Sequence, residues 1–298
     1  MTVKIRIPAT SANIGPGFDS IGLAVDLYNY ITMEEYDGVV IESLDRAPVP
    51  ADETNLVYST AKHLYELCGV PFRGLKIGQI NNIPFARGLG SSSACVIGGL
   101  KGANKLMGNP VSDAELINIA AGIEGHPDNS TPALCGGLVT AVFEAGRVHY
   151  VKQEIRGELH FVAVIPDFEL KTSKARAVLP DRIDRRDGVF NLSRAALMSV
   201  SLYSGNYQNL RIAADDRLHQ PYRMGLIPGF EPVMEACYDL GAYAVYLSGA
   251  GPTLMAIVDA KLSDFGDCVA RRLPSLGLGG WQVHTLSIDN LGTVIERV

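Results

Sequence analysis

The run Pro84-Phe85-Ala86-Arg87-Gly88-Leu89-Gly90-Ser91-Ser92-Ser93-Ala94 places two glycines and three consecutive hydroxyls directly before a helical pattern. That combination suits a phosphate. Glycines without a Cβ let backbone N–H groups approach an anion closely, and a helix opening at Ser91 to Ser93 adds unpaired amides and the positive end of its dipole. The serine hydroxyls can serve phosphate oxygens or a bound Mg²⁺. Neither common nucleotide fingerprint fits: there is no G-x-x-x-x-G-K-[ST], and Gly88-x-Gly90-x-x-Ser93 lacks the third glycine of the dinucleotide motif. Taken alone, the run reads either as a phosphate cradle or as a helix cap after a flexible turn.

Two further glycine-rich segments bear on that choice. Val3, Ile5 and Ile7 alternate with Lys4 and Arg6 as a strand of period two, and the chain continues Pro8-Ala9-Thr10-Ser11-Ala12-Asn13-Ile14-Gly15-Pro16-Gly17-Phe18-Asp19. Near the C-terminus, Tyr246-Leu247-Ser248-Gly249-Ala250-Gly251-Pro252-Thr253 lies between two apolar runs. Singly, each reads as a tight turn. Together, in this order, the three segments resemble the three motifs of the GHMP kinases, and the resemblance covers nearly the whole chain. Within that superfamily, Glu124-Gly125-His126-Pro127-Asp128-Asn129, Lys171-Thr172-Ser173-Lys174-Ala175-Arg176 and Gln220-Pro221-Tyr222-Arg223-Met224-Gly225-Leu226-Ile227-Pro228 are similar to signatures of the homoserine kinase family.

The resemblance implies a two-domain α+β fold: a ribosomal-protein-like α/β domain over residues 1–155 and a ferredoxin-like domain over 156–298, with substrates in the cleft between them. The first domain would contain a left-handed crossover, which no general rule of handedness would suggest. The implied activity is ATP-dependent phosphorylation of the hydroxyl of L-homoserine, a step of threonine biosynthesis. A kinase must hold ATP, neutralise the transferring phosphoryl group and align the acceptor hydroxyl.

By the same resemblance, Pro84, Arg87, Gly88, Leu89, Gly90, Ser91, Ser92, Ser93 and Ala94 would bind the nucleotide. Asn55 opens a helix, and its two readings, a plain cap or a neighbour of the adenine, stay open. Ser92 and Glu124 would hold Mg²⁺; three serines where the family usually has two followed by alanine leave the register open among Ser91 to Ser93. Arg176 and Arg223 would clamp the substrate carboxylate, since a guanidinium fork fits two oxygens. Asn13 and Asp19 would hold its ammonium, His126, Thr172, Gly249 and Gly251 would lie near the substrate, and Asn129 would orient the acceptor hydroxyl. Sister kinases use an aspartate in the segment of Asp128 as a base, whereas homoserine kinases are held to manage without a strong one. Both roles for Asp128 stay open. The rival readings are a GHMP kinase for another small alcohol, a decarboxylase and a ligand sensor. A decarboxylase would need more basic residues for a diphosphate than Arg176, Arg223, Lys171 and Lys174, and a sensor would have lost a group such as Ser92 or Glu124.

Composition agrees with a globular enzyme. A chain of 298 residues that is 47% apolar and 19% charged can bury one large core or two ordinary ones. A net charge of −6 offers no basic footprint for nucleic acid or an anionic membrane. No run of about 18 apolar residues is present, so no membrane span is expected. The five cysteines are widely separated without a C-x-x-C pair, and the chain opens on a strand with no basic-then-apolar leader, so free thiols and a cytoplasmic location are expected. A homodimer is the family-level expectation.

The remaining pattern predicts a helix from Thr54 to Cys68, a strand at Leu75 to Gln79, and a helix after Ser91 whose Gly98, Gly99 and Gly102 suit close packing. Ser112-Asp113-Ala114-Glu115 forms a capping box for a helix that ends at the acidic segment from Glu124. Carboxylates there face the negative end of the dipole, a local conflict expected where function intervenes. Strands at Gly136 to Glu144 and Arg147 to Ile155 follow, then a strand from Leu159, helices, two strands around Gly241 to Val258, a helix and a strand.

Overall fold

Strand β1 (Thr2–Ala12) runs antiparallel to β2 (Ile21–Glu35), and β1 exceeds its predicted length. Period two carries β1 only to Ile7, where Pro8 interrupts the alternation. The ladder absorbs the proline in a register shift between Pro8 and Ala9, and so the strand continues into the first glycine-rich segment. The computed structural model describes residues 1–155 and 158–296. The expected boundary between 155 and 156 therefore falls on Arg156, which lies outside the described residues.

After β2 come β3 (Gly38–Ser43), α1 (Leu56–Leu67) and β4 (Gly74–Asn81), with β3 and β4 adjacent and parallel. Then follow α2 (Ser91–Leu106), α3 (Asp113–Glu124), α4 (Ser130–Cys135), β5 (Leu138–Glu144) and β6 (Arg147–Gln153). The capping box forms as expected at Ser112 and Glu115. Helix α4 was not legible in the sequence, because six residues containing Pro132 give no helical period.

The second half is β7 (Leu159–Ile165), α5 (Thr172–Ala177), α6 (Arg185–Ser204), α7 (Leu210–Ala213), α8 (Gln220–Met224), α9 (Phe230–Asp239), β8 (Ala244–Leu247), β9 (Leu254–Asp259), α10 (Phe265–Arg272) and β10 (Gln282–Leu286). Its antiparallel sheet has the order β10-β7-β9-β8. Fourth, first, third, second is the ferredoxin-like arrangement. The chain then returns, and β11 (Val294–Glu296) pairs with β1 at the edge of the first, seven-stranded sheet.

Side-chain alternation makes the second sheet two-sided. Phe161, Ala163, Ile165, Tyr246 and Met255 join Met198 and Leu202 of α6 in the core shared with the first sheet. Val162, Val164, Val245, Leu254 and Ala256 face α9 and α10 in a separate cluster. In the first half, α2 is the central helix, and its glycines are required there. A Cβ on Gly99 would stand 2.1 Å from Thr60 Oγ1 of α1, and one on Gly98 would stand 2.4 Å from Ile31 Cδ1 of β2. This packing fixes the N-terminus of α2 at the head of the first sheet. Among the described residues no helix is long and apolar enough to cross a membrane.

Candidate active site

The three glycine-rich segments meet at the N-terminus of α2. Thr10 N–H donates to the Leu89 carbonyl at 3.1 Å, Gly249 N–H to the Ala12 carbonyl at 3.0 Å, and Ser248 Oγ–H to the Gly88 carbonyl at 2.6 Å. The loop is too close-packed for side chains at its glycines. Gly90 has φ +71° and a Cβ there would lie 1.9 Å from Thr10 Oγ1; Gly88 has φ +76° and its Cβ would lie 2.3 Å from the Ser248 carbonyl oxygen. With Gly90 as its left-handed cap, α2 has no side-chain cap, and the first amides of the helix face forward without intrahelical acceptors.

In front of them opens a cleft of about 650 Å³. Of the residues singled out in the sequence, Asn55, Arg87, Gly88, Gly90 and Ser91 to Ser93 line it on the loop side. Asn13, Asp19, Thr172, Arg176, Arg223, Gly249 and Gly251 line it as well, together with Glu124, His126, Asp128 and Asn129. Pro84, Leu89 and Ala94 are not among the residues that line it.

Several of these side chains already have work in the fold. Asn55 caps α1 by accepting from Val57 N–H and Tyr58 N–H, and its amide donates to Gln79 Oε1 at 2.7 Å. Arg87 donates through Nε and Nη2 to the Pro166 and Asp167 carbonyls, each at 3.0 Å, which ties the loop to the end of β7. Asn13 donates to the Gly249 carbonyl at 2.8 Å and accepts from Asp19 N–H at 3.0 Å, closing the turn that presents Asp19. Asn129 accepts from Thr10 Oγ1 at 2.8 Å.

In the cleft Ser93 Oγ lies 2.7 Å from both oxygens of Glu124, while burial pushes the Glu124 carboxyl up to about 7 against the smaller opposing effects of Ser93 and His126. Ser92 is exposed, Ser91 Oγ is buried without a hydrogen-bond partner, and Ser93 is the buried serine turned to the carboxylate. A buried carboxylate with a serine hydroxyl against it, at the start of a helix that carries further serines, is a fitting donor set for a hard cation.

The same cleft holds paired charges. Arg176 meets Asp19 through two hydrogen bonds, and His126 Nδ1 lies 2.5 Å from Oδ1 of the buried Asp128. Burial opposes the charged form of His126, but the Asp128 hydrogen bond and charge outweigh it and leave the histidine raised. Asp19, His126 and Asp128 each bring one ligand-type atom within 4.8 Å of the others, a set that can hold a cation. Arg223 is almost fully buried; burial, then the charge of Arg176, lowers its pKa to about 10. Phe18, which the sequence did not mark, places its ring centroid 5.5 Å from the Arg176 guanidinium carbon and 5.3 Å from that of Arg223. Its position between two glycines and Asp19 was the available signal. Thr10 and Gln79 were likewise missed, since their partners lie 119 and 24 residues away.

Residues 55–137 match the GHMP kinases N terminal domain and residues 198–274 the GHMP kinases C terminal domain. The chain is 46% identical over 297 residues to the homoserine kinase of Clostridium beijerinckii, covering 99% of each. It is similar to the crystal structure of homoserine kinase from Cytophaga hutchinsonii, with a TM-score of 0.89, 28% identity, and 99% and 97% of the two chains covered. The mevalonate kinase of L. major, solved with R-mevalonate, shares the fold at a TM-score of 0.73 and 17% identity over 96% of each chain.

Proposed function

From the premise that this chain belongs to the homoserine kinase family of the GHMP kinases, we propose how its residues divide the transfer of the ATP γ-phosphoryl group to the hydroxyl of L-homoserine. The observation that carries the reading is the convergence of the three glycine-rich segments on one cleft that also holds a carboxylate–serine pair and an arginine–aspartate pair.

The amides at the start of α2 receive the phosphates, because they are unpaired and aligned with the helix dipole. Gly88 and Gly90 allow the close approach, and Arg87 holds the loop in place through the carbonyls of Pro166 and Asp167. Asn55 shapes the adenine end through its cap and its bond to Gln79. Glu124, with the hydroxyls of Ser91 to Ser93, would hold Mg²⁺, which when bound neutralises charge on the transferring phosphoryl group.

Arg176 and Arg223 take the α-carboxylate of homoserine. Asp19, presented by Asn13, takes the ammonium, with His126 and Asp128 adding to the same anionic field. A zwitterion satisfies both members of the Arg176–Asp19 pair at once, which an uncharged alcohol cannot do. Asn129, steadied by Thr10, and Thr172 orient the acceptor hydroxyl. Asp128 is committed to His126, so it acts as a positioning group, and the reaction runs on alignment and charge stabilisation rather than on a strong base.

The nucleotide-binding half comprises residues 1–155 and the ferredoxin-like half the remainder, with β11 lent back to the first sheet. The five free thiols support a cytoplasmic enzyme. A homodimer is the family-level reading of its assembly. Homoserine-dependent ADP formation by the purified protein tests the assignment of substrate.

A further inference from the structure

His219 stands outside all three glycine-rich segments, yet its side chain is fully buried and its hydrogen bonds are directional. Nε2 lies 2.7 Å from the Gly15 carbonyl oxygen. A carbonyl only accepts, so Nε2 carries the hydrogen and Nδ1 carries the lone pair. Nδ1 in turn accepts from Arg223 Nη1 at 3.2 Å. Arg223 donates further through Nε to the Ala175 carbonyl at 3.0 Å and through Nη1 to the Gly249 carbonyl at 3.1 Å. Among the described residues every such bond uses Nε or Nη1, which leaves Nη2 for the cleft that Arg223 lines.

The two partners of His219 belong to different parts of the fold. Arg223 sits four residues on, along α8, whose first turn is fixed by Asp216: Oδ2 accepts from His219 N–H at 2.9 Å and from Gln220 N–H at 2.6 Å. Gly15 belongs to the turn between β1 and β2 that also carries Asn13, Phe18 and Asp19, and the Phe18 ring stacks on the imidazole with centroids 5.2 Å apart. This turn packs closely on the end of α7, since a Cβ on Gly15 would meet the Ala214 carbonyl oxygen at 2.7 Å. One imidazole therefore ties the turn bearing Asp19 to the helix bearing Arg223.

Resting on the assignment of those two residues to homoserine, we infer that His219 is a positioning residue that fixes the distance between the cationic and anionic ends of the amino-acid site. Burial pulls its pKa below the ordinary histidine range, against the opposing charge of Asp216, which keeps Nδ1 available as an acceptor. With the phosphates assigned to the amides that open α2, the effect belongs to the amino-acid substrate.

His219→Leu removes both hydrogen bonds, and His219→Gln offers an amide oxygen to Arg223 and an amide hydrogen to Gly15. Steady-state kinetics of His219→Leu should show the homoserine KM raised about tenfold or more, with kcat and the ATP KM within about twofold of the parent. His219→Gln should recover most of that loss. In an Arg223→Ala background, His219→Leu should change the homoserine KM by less than about twofold, because the group it acts through is gone. Should His219→Leu not fold, the more flexible His219→Met serves the same comparison. A homoserine KM unchanged in a folded apolar variant, equal losses for ATP and homoserine, or a His219→Gln no better than His219→Leu would overturn the inference. Absence of homoserine-dependent ADP formation by the parent enzyme would overturn the substrate assignment beneath it.

Discussion

Arg176 meets Asp19 end on, with Nη2 2.7 Å from Oδ1 and Nη1 3.1 Å from Oδ2. The pair bridges α5 of the second half and the β1–β2 turn of the first. Its side chains are 39% and 33% exposed, so solvent screening limits its contribution to stability to about 1 kcal/mol or less. Its value lies in what it presents to a substrate. Arg176→Ala and Arg223→Ala should each lower kcat/KM for homoserine by about 2–4 kcal/mol of transition-state stabilisation while sparing ATP binding. Arg176→Ala should leave the melting temperature nearly unchanged. The buried Arg223 should cost stability as well. Homoserine kinetics within threefold of the parent in both variants would remove the two arginines from the substrate site.

Gly90→Val should abolish nucleotide binding. The position has φ +71°, and a Cβ would stand 1.9 Å from Thr10 Oγ1 and 3.3 Å from Asn129 Oδ1. A branched side chain cannot hold that backbone, so the first turn of α2 and its amides must move. Calorimetric titration of the folded variant with Mg-ATP checks this, and parental affinity would place the nucleotide elsewhere.

The parts of this site that were legible in the sequence are those written in local chemistry. Glycines before a serine run announced the loop at Gly88 to Ser93, and Ser112 with Glu115 announced α3. Non-local relationships left no such trace. Arg176 finds Asp19 across 157 residues, His219 finds Gly15 across 204, and β11 returns to β1 from the far end of the chain. No period or cap encodes these pairings, which arise only when distant parts of the chain come together. Asn55 shows the converse: its cap was readable, while its bond to Gln79 emerged only with β4 in place.

In the proposed division of roles, Glu124 is the metal ligand and Asp128 the positioning group. Burial raises the Glu124 carboxyl from 4.5 to about 7, so the folded protein binds its proton more tightly than the unfolded chain does. In metal-free enzyme this contribution to stability is present at low pH and is lost as pH rises through about 7. Mg²⁺ needs the ionised form, so its affinity should weaken below that pH and strengthen above it. Glu124→Gln should abolish both trends and collapse turnover, with partial recovery at high Mg²⁺. Asp128→Asn should retain most activity, whereas loss of a true general base would cost about 10²–10⁴-fold. Rates across a Mg²⁺ titration, with melting curves at several pH values, decide the matter. A nearly active Glu124→Gln beside an inactive Asp128→Asn would reverse the assignment.

On the proposed assignment, Arg176, Arg223 and Asp19 select a substrate carrying both a carboxylate and an ammonium. The direct measurement is ADP formation by the purified protein with Mg-ATP and, in parallel, L-homoserine, mevalonate or galactose as acceptor. Saturable turnover with L-homoserine, yielding O-phospho-L-homoserine, and background rates with the other two are the expected result. Turnover of mevalonate or galactose equal to or above that of L-homoserine would contradict it.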